Sequence, residues 1–354
     1  MKRFTFDYIS PRVVFGAGTV STLPDEIGRL GSRRLLILSN RDQLELAKDI
    51  VRPIGDRVAG YFDGAMMHVP VDVIQKGERA LYDTDADSII AIGGGSTIGL
   101  AKILSMNLHV PSLVIPTTYA GSEMTTIWGI TEDGMKRTGR DPKVLPKTVI
   151  YDPLLTIDLP VAISVTSALN AIAHAAEGLY SAELNPVLET MCKQGIHALF
   201  DAIPRLVAKP TDAEARTGAL FGAWMCGTAL CHLGMGLHHK LCHTLGGTLN
   251  LPHADTHAVV LPHALAYNLP YATPAERLLQ GIAGSTDFPS ALYDLARNAG
   301  VPLSLAEIGM RPEDIPRVRD LAMKDQYPNP RPLESNALEK LLVNAFHGRR
   351  PDFQ

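Results

Sequence analysis

Half of the twelve histidines in this chain fall between His232 and His257. Asn170 and His174 stand four residues apart in an apolar stretch of helical character, so they share a face. His239 and His243 repeat that spacing. His253 and His257 repeat it again, beyond a turn expected at Gly246–Gly247. Imidazoles grouped in this way can bind a metal, transfer protons or hold an anion. A functional role is therefore expected for His174, His239, His243 and His253. A lone histidine is more simply a hydrogen-bonded core or surface residue, and His68, His109, His197 and His347 are read so. Cys226 and Cys231 match no zinc spacing and read as helix packing.

A second constellation is built from glycines and hydroxyls. Ser88–Ile92 runs straight into Gly93-Gly94-Gly95-Ser96, with helical character following. Glycines let backbone N–H groups approach phosphate oxygens, and a helix N-terminus favours an anion. Ser96 is either a phosphate donor or an ordinary helix cap. The pattern is not G-x-G-x-x-G, so it makes no Rossmann fingerprint. The loop Pro116–Glu123 follows the next apolar run and carries Thr117, Thr118 and Ser122, with Ser122 as a possible helix cap. Loops at the carboxyl ends of parallel strands are where such sheets bind ligands. After the first strand, Asn40 occupies the place where an acid would grip an adenosine ribose. Arg41 beside it attracts a 2′-phosphate, so NADH and NADPH both remain open.

These groups need elements to carry them. The runs at 34–39, 88–92, 112–115 and 148–151 are short and rich in branched apolar residues, which reads as buried strands. Helical periodicity separates them at 44–52 and 73–82. Strand and helix in alternation imply a parallel sheet with helices on both faces. From about Asp152 the strand signal fades, and helical spacing dominates at 164–180, 186–200, 213–231 and 254–267. The sequence thus divides into an α/β dinucleotide-binding domain, 1–153, with a parallel sheet and an all-α domain, 154–354. Residues 4–15, with alternating apolar positions, are expected to pair as an edge hairpin contributing to a homodimer. Gly348 is expected to cap the last helix.

Composition excludes several classes of function. A formal net charge of −4 does not suit a strongly basic nucleic-acid binder. No apolar run is long enough to span a bilayer, and Asp7, Pro11 and Arg12 interrupt any signal-type apolar core after Met1. Four cysteines in 354 residues make no disulfide framework. Reduced thiols and a cytoplasmic location are the expectation.

The order of the motifs resembles the iron-containing (group III) alcohol dehydrogenase superfamily. The matching pieces are GGGS at 93–96, PTTYAGSE at 116–123, IYDP at 150–153, NAIAH at 170–174, HKLCHTLGG at 239–247 and PHADTHAVVLPHALAYN at 252–268. The resemblance implies the dehydroquinate synthase-like fold, with a dinucleotide-binding domain, a helical catalytic domain and an active site in the cleft between them. By position it implies that Gly94, Gly95 and Ser96 hold the pyrophosphate. It makes Thr117, Thr118 and Ser122 the second cofactor loop, Asn40 the cofactor-selecting position and Lys136 a cofactor contact. His174, His239 and His253 fall on the family's three histidine metal positions, and His243 on a histidine near the nicotinamide.

The chain departs from the superfamily pattern where the fourth metal ligand, an aspartate, is replaced by Asn170. A neutral amide is a poorer ligand for a hard divalent cation, so no metal is expected. If one binds, His174, His239 and His253 are its ligands. The shortened second loop with Tyr119, and His257 where an asparagine is usual, resemble the maleylacetate reductase branch. That branch reduces a carbon–carbon double bond with NADH or NADPH in aromatic compound degradation. The resemblance then assigns His243 as proton donor or oxyanion stabiliser and His174, His239 and His253 as the group that binds a dicarboxylate substrate. Asn170, His257, His238 and Tyr119 join as substrate-binding residues, with Lys240 as a further candidate. The competing readings are a metal-dependent alcohol dehydrogenase or aldehyde reductase and a non-catalytic nucleotide-binding regulator.

Overall fold

The computed structural model describes residues 3–132, 135–324 and 327–352, apart from the side chains of Met135 and Lys136. Two compact units divide the chain, Met1–Leu159 and Pro160–Gln354. The division falls after Leu159 rather than after Pro153 because Asp152 ties the following turn to the first unit. Its buried carboxylate accepts hydrogen bonds from the N–H groups of Gly18, Val20 and Leu154, each at 3.0 Å.

The first unit has a six-stranded parallel sheet. Its strands are β1 (Arg12–Phe15), β2 (Leu35–Leu38), β3 (Val58–Phe62), β4 (Ser88–Gly93), β5 (Ser112–Pro116) and β8 (Thr148–Tyr151), in the order β1-β8-β5-β4-β2-β3. A separate antiparallel hairpin joins β6 (Ile127–Glu132) to β7 (Met135–Arg140). Four helices connect the sheet: α1 (Leu23–Leu30), α2 (Leu44–Val51), α3 (Val71–Thr84) and α4 (Gly95–Leu108). Side chains alternate across a strand. Leu35, Ile37, Ile90, Ile92, Leu113 and Ile115 accordingly face one way, against Leu23 and Ile27 of α1 and Ala47, Ile50 and Val51 of α2. The expected N-terminal hairpin is not formed. Only Arg12–Phe15 is extended in the ladder, and it pairs parallel to β8 at the sheet edge.

Chain order reverses direction between β2 and β4, since β3 lies outside β2 and β5 outside β4. Loops beyond the carboxyl ends of strands at such a switch point are the ligand-binding place of an open α/β sheet. The glycine-rich turn after β4 and the loop after β2 meet this condition.

The second unit is helical throughout its described residues. Its helices are α5 (Val161–Gly178), α6 (Pro186–Ala208), α7 (Ala213–His232), α8 (Leu237–Leu249), α9 (His253–Asn268), α10 (Thr273–Ala283), α11 (Phe288–Asn298), α12 (Ile315–Met323) and α13 (Ser335–Phe346). Small residues permit close packing of α6 on α7. A Cβ at Gly222 would lie 2.9 Å from the carbonyl oxygen of Gly195. Cys226 packs against Gly195, in keeping with its reading as a core residue. From Ser164 to Gly178, α5 is buried on every side. Ala, Ser and Thr dominate that run because larger side chains would not fit among three neighbouring helices. A second core gathers α8, α9, α12 and α13 around Leu241, Leu245, Val260 and Leu341. Gly246 and Gly247 lie inside α8, and the turn expected there comes at Asn250, with φ at 54°. Gly348, with φ at 63°, closes α13 as expected. Among the described residues no single helix is long and apolar enough to cross a membrane.

Asp152→Ala leaves three N–H donors without a partner. It is expected to lower stability by roughly 2–3 kcal/mol, read as a lower urea midpoint with an unchanged slope.

Candidate active site

At the switch point, one side chain that the sequence did not single out links three loops. Asn40 follows β2, and its Oδ1 accepts from the Gln43 N–H at 3.0 Å. The Gln43 side chain then donates to Thr117 Oγ1 at 2.8 Å. The Thr117 N–H bonds the Gly93 carbonyl at 3.1 Å. Gln43 therefore connects the end of β2 to the end of β5 across β4. The glycines answer to close approach. A Cβ on Gly94 would lie 2.8 Å from Thr118 Cγ2, and one on Gly93 would lie 2.5 Å from Thr97 Oγ1. Gly94 is the N-cap of α4 with no side-chain cap, so Gly95 and Ser96 form a bare first turn. Ser96 is thus not the cap residue, and the helix N-terminus is left for an anion.

The second loop is fixed from beneath by Lys102 of α4. Its buried ammonium donates to the Ser122 carbonyl at 2.5 Å, Thr125 Oγ1 at 2.9 Å and the Ile127 carbonyl at 2.9 Å. Ser122 begins a short 3-10 turn but does not cap it. Tyr119 departs from its substrate-binding assignment. It is fully buried in the first unit, and its hydroxyl bonds Thr156 Oγ1 at 3.1 Å. Lys136 lies on β7 opposite Thr131, and its side chain is outside the described residues.

In the second unit the decisive residue is Glu177. It lies three residues beyond His174 and seven beyond Asn170, so all three follow one face of α5. Its carboxylate is fully buried and sits at the N-terminus of α8. It accepts from the N–H groups of Gly236 at 3.2 Å, His238 at 2.8 Å and His239 at 3.2 Å. It also accepts from His239 Nδ1 at 2.6 Å. Burial alone would raise the carboxyl pKa. The His239 hydrogen bond, the nearby imidazoles and the His238 amide outweigh it and hold the group down at about 2. A carboxylate only accepts hydrogen bonds, so His239 carries a proton on Nδ1.

Around this anchor the imidazoles converge. The ring of His239 is 5.2 Å from His174, 6.0 Å from His243 and 5.2 Å from His257. His253 opens α9 and joins through His257, 4.4 Å away. His243 and His253 are half-buried, whereas His238 and His257 have essentially no exposed surface. These last two bond each other, Nε2 to Nδ1, at 2.9 Å, which places them behind the group rather than at a substrate. Lys240 lies over the Tyr327 ring at 5.9 Å. Burial, reinforced by neighbouring imidazoles, drives the pKa values of His174 and His257 well down and that of His238 to about 3. These rings are neutral at pH 7. Asn170 Oδ1, His174 Nδ1 and His239 Nε2 are buried without a protein partner. Three unpaired polar atoms on adjacent residues call for a polar ligand.

Residues 10–153 match the family described as iron-containing alcohol dehydrogenase, and residues 164–346 match the C-terminal domain of the Fe-containing alcohol dehydrogenase family. The chain belongs to the iron-containing alcohol dehydrogenase family. It is 89% identical over 354 residues, the whole of both chains, to maleylacetate reductase 1 of Cupriavidus pinatubonensis. It is 53% identical to maleylacetate reductase of Pseudomonas knackmussii over 98% of this chain and 99% of that one. The crystal structure of maleylacetate reductase from Rhizobium sp. superposes with a TM-score of 0.93 at 46% identity, over 99% of this chain and all of the other. A putative alcohol dehydrogenase from Ralstonia eutropha gives 0.97 at 49%, over 99% and 100%.

The family name implies iron, but the donor set does not fit it. Asn170 offers a neutral amide, and the imidazoles add no negative charge to balance a divalent cation. Among the described residues, the histidine, cysteine and acidic donors that gather within 4.8 Å are His238, Cys242 and His257, not His174, His239 and His253.

Glu177 yields the prediction for this site. Its pKa is depressed from 4.5 to about 2. The stability it contributes is therefore full above its unfolded value and is lost as pH falls through its folded one. Glu177→Gln is expected to cost about 3 kcal/mol at neutral pH. Its urea midpoint should converge on that of the wild type as the pH is lowered from about 5 to about 2.

Proposed function

We propose that this chain reduces the carbon–carbon double bond of maleylacetate with NADH or NADPH, giving 3-oxoadipate. The observation that carries the reading is full-length identity of 89% to maleylacetate reductase 1. Asn170, in place of a metal-binding carboxylate, agrees with a reaction that uses histidines directly. The first unit would bind the dinucleotide, with its pyrophosphate at the bare first turn of α4 between Gly94 and Ser96. Thr118 of the second loop packs against Gly94, and Asn40 lies at the ribose end.

The chemistry requires no Lewis acid. Hydride from the nicotinamide adds to the alkene carbon beta to the ketone, the π electrons move, and negative charge develops on the ketone oxygen as an enolate. A proton delivered to the carbon alpha to the ketone completes 3-oxoadipate. Hydrogen-bond donors preset toward the enolate oxygen lower the barrier, because charge appears there only as the reaction proceeds. His174 Nδ1 is buried and unpaired and can donate to a substrate oxygen, whereas the unpaired Asn170 Oδ1 can only accept. Burial keeps His174 neutral before substrate enters, so this ring meets a dicarboxylate as a hydrogen-bond donor rather than as a fixed positive charge. His243 is the half-buried member beside His239, and we assign it the proton or the enolate oxygen.

His243→Ala tests that role. The turnover rate is expected to fall roughly 100-fold or more while NADH binding, followed by fluorescence, stays within a factor of about two. Turnover close to wild type in a folded variant would remove His243 from the chemistry.

A further inference from the structure

A second group of donors lies behind the histidines assigned above. His238 and Cys242 are four residues apart on α8, as are His239 and His243, but about 100° further round the helix. His257 faces them from α9. Nε2 of His238 and Nδ1 of His257 are 2.9 Å apart, and Cys242 Sγ is 3.7 Å from the same His238 nitrogen. One ligand atom from each residue lies within 4.8 Å of the other two. All three side chains are buried, at 0%, 1% and 1% exposure, and His257 Nε2 has no hydrogen-bond partner.

The two separations at His238 Nε2 lie near the edges of a coordination tetrahedron. Metal–nitrogen bonds of about 2.0–2.1 Å and a metal–sulfur bond of about 2.3 Å set N···N near ~3.3 Å and N···S near ~3.6 Å. A thiolate with two imidazoles suits Zn2+ and excludes hard cations such as Mg2+. Four residues along α8 and a facing residue on α9 therefore supply three ligand atoms within 4.8 Å of one another.

We propose that His238, Cys242 and His257 form a structural Zn2+ site that clamps α8 to α9, distinct from the family's metal positions. Binding expels the Cys242 thiol proton to solvent. The proton shared by His238 and His257 moves to the unpartnered Nε2 of His257, which leaves both facing nitrogens as ligands. Since no exposed surface reaches the trio, the cation touches no substrate. Its effect is on the stability of the α8–α9 packing and not on the reacting groups.

The test is cobalt substitution in the full chain. Protein stripped by chelator under reducing conditions is titrated with Co2+. The expected result is a near-ultraviolet thiolate-to-cobalt charge-transfer band that saturates at a single Co2+ per chain, is bleached by Zn2+ and is absent from Cys242→Ser. Zn2+ should also raise the thermal midpoint of the wild type but not of Cys242→Ala. Cobalt absorption without the thiolate band would place the cation at His174 and His239 and overturn the proposal. A band that survives Cys242→Ser, or no binding by the wild type, would overturn it equally. The wild-type spectrum decides the matter even if a cysteine variant fails to fold. No arm reads turnover, so failure here leaves the reductase reading standing.

Discussion

The helical unit depends on one buried charge. Glu177 receives three backbone N–H groups at the start of α8, a place where a helix favours negative charge. The same carboxylate sets the tautomer of His239. Remove the charge and two things fail together: the helix loses its N-terminal partner, and the imidazole loses its orientation. A buried carboxylate is costly unless fully paired. Here the pairing is complete enough to keep it ionised at neutral pH. The histidines of α8 and α9 are consequently placed by electrostatics at one helix end, not by the apolar core alone.

The sheet unit solves a different problem with a similar economy of means. Its switch point must present three loops in fixed register, yet loops are the parts of a fold least constrained by packing. Gln43 and Lys102 supply that constraint from side chains that face no ligand-forming motif. One bridges β2 to β5, and the other binds two carbonyls and a hydroxyl of the segment after β5. Glycine at 94 is then required because Thr118 occupies the space a Cβ would take.

Much of this was legible in the sequence, and the omissions have physical causes. Strands β2, β4, β5 and β8 are buried on both faces and read as unbroken apolar runs. Strand β3 escaped because Gly60 interrupts a half-exposed edge sequence, and the β6–β7 hairpin because β7 is largely polar and β6 is broken by Gly129. The histidines announced themselves by spacing. Glu177 did not, since an acid near a helix end ordinarily faces water. Its signal was its place in a run of Ala and Gly on the face of Asn170 and His174. Tyr119 was misplaced for the opposite reason. Its position in a ligand-binding loop suggested contact with substrate, whereas packing turns the ring into the core. Cys242 was hidden because i,i+4 spacing of histidine and cysteine on one helix gains meaning only when His257 arrives from another.

The central claim is that the histidine group reduces maleylacetate without a Lewis acid. Its most direct test is the rate of NADH oxidation with maleylacetate by the wild-type protein, stripped with a chelator and assayed in its continued presence, with the thermal midpoint measured on the same sample. An undiminished rate is the expected result. A rate that collapses while the thermal midpoint is unchanged, and that returns on addition of Fe2+, would contradict a metal-free mechanism and make Asn170 a ligand in a working iron site.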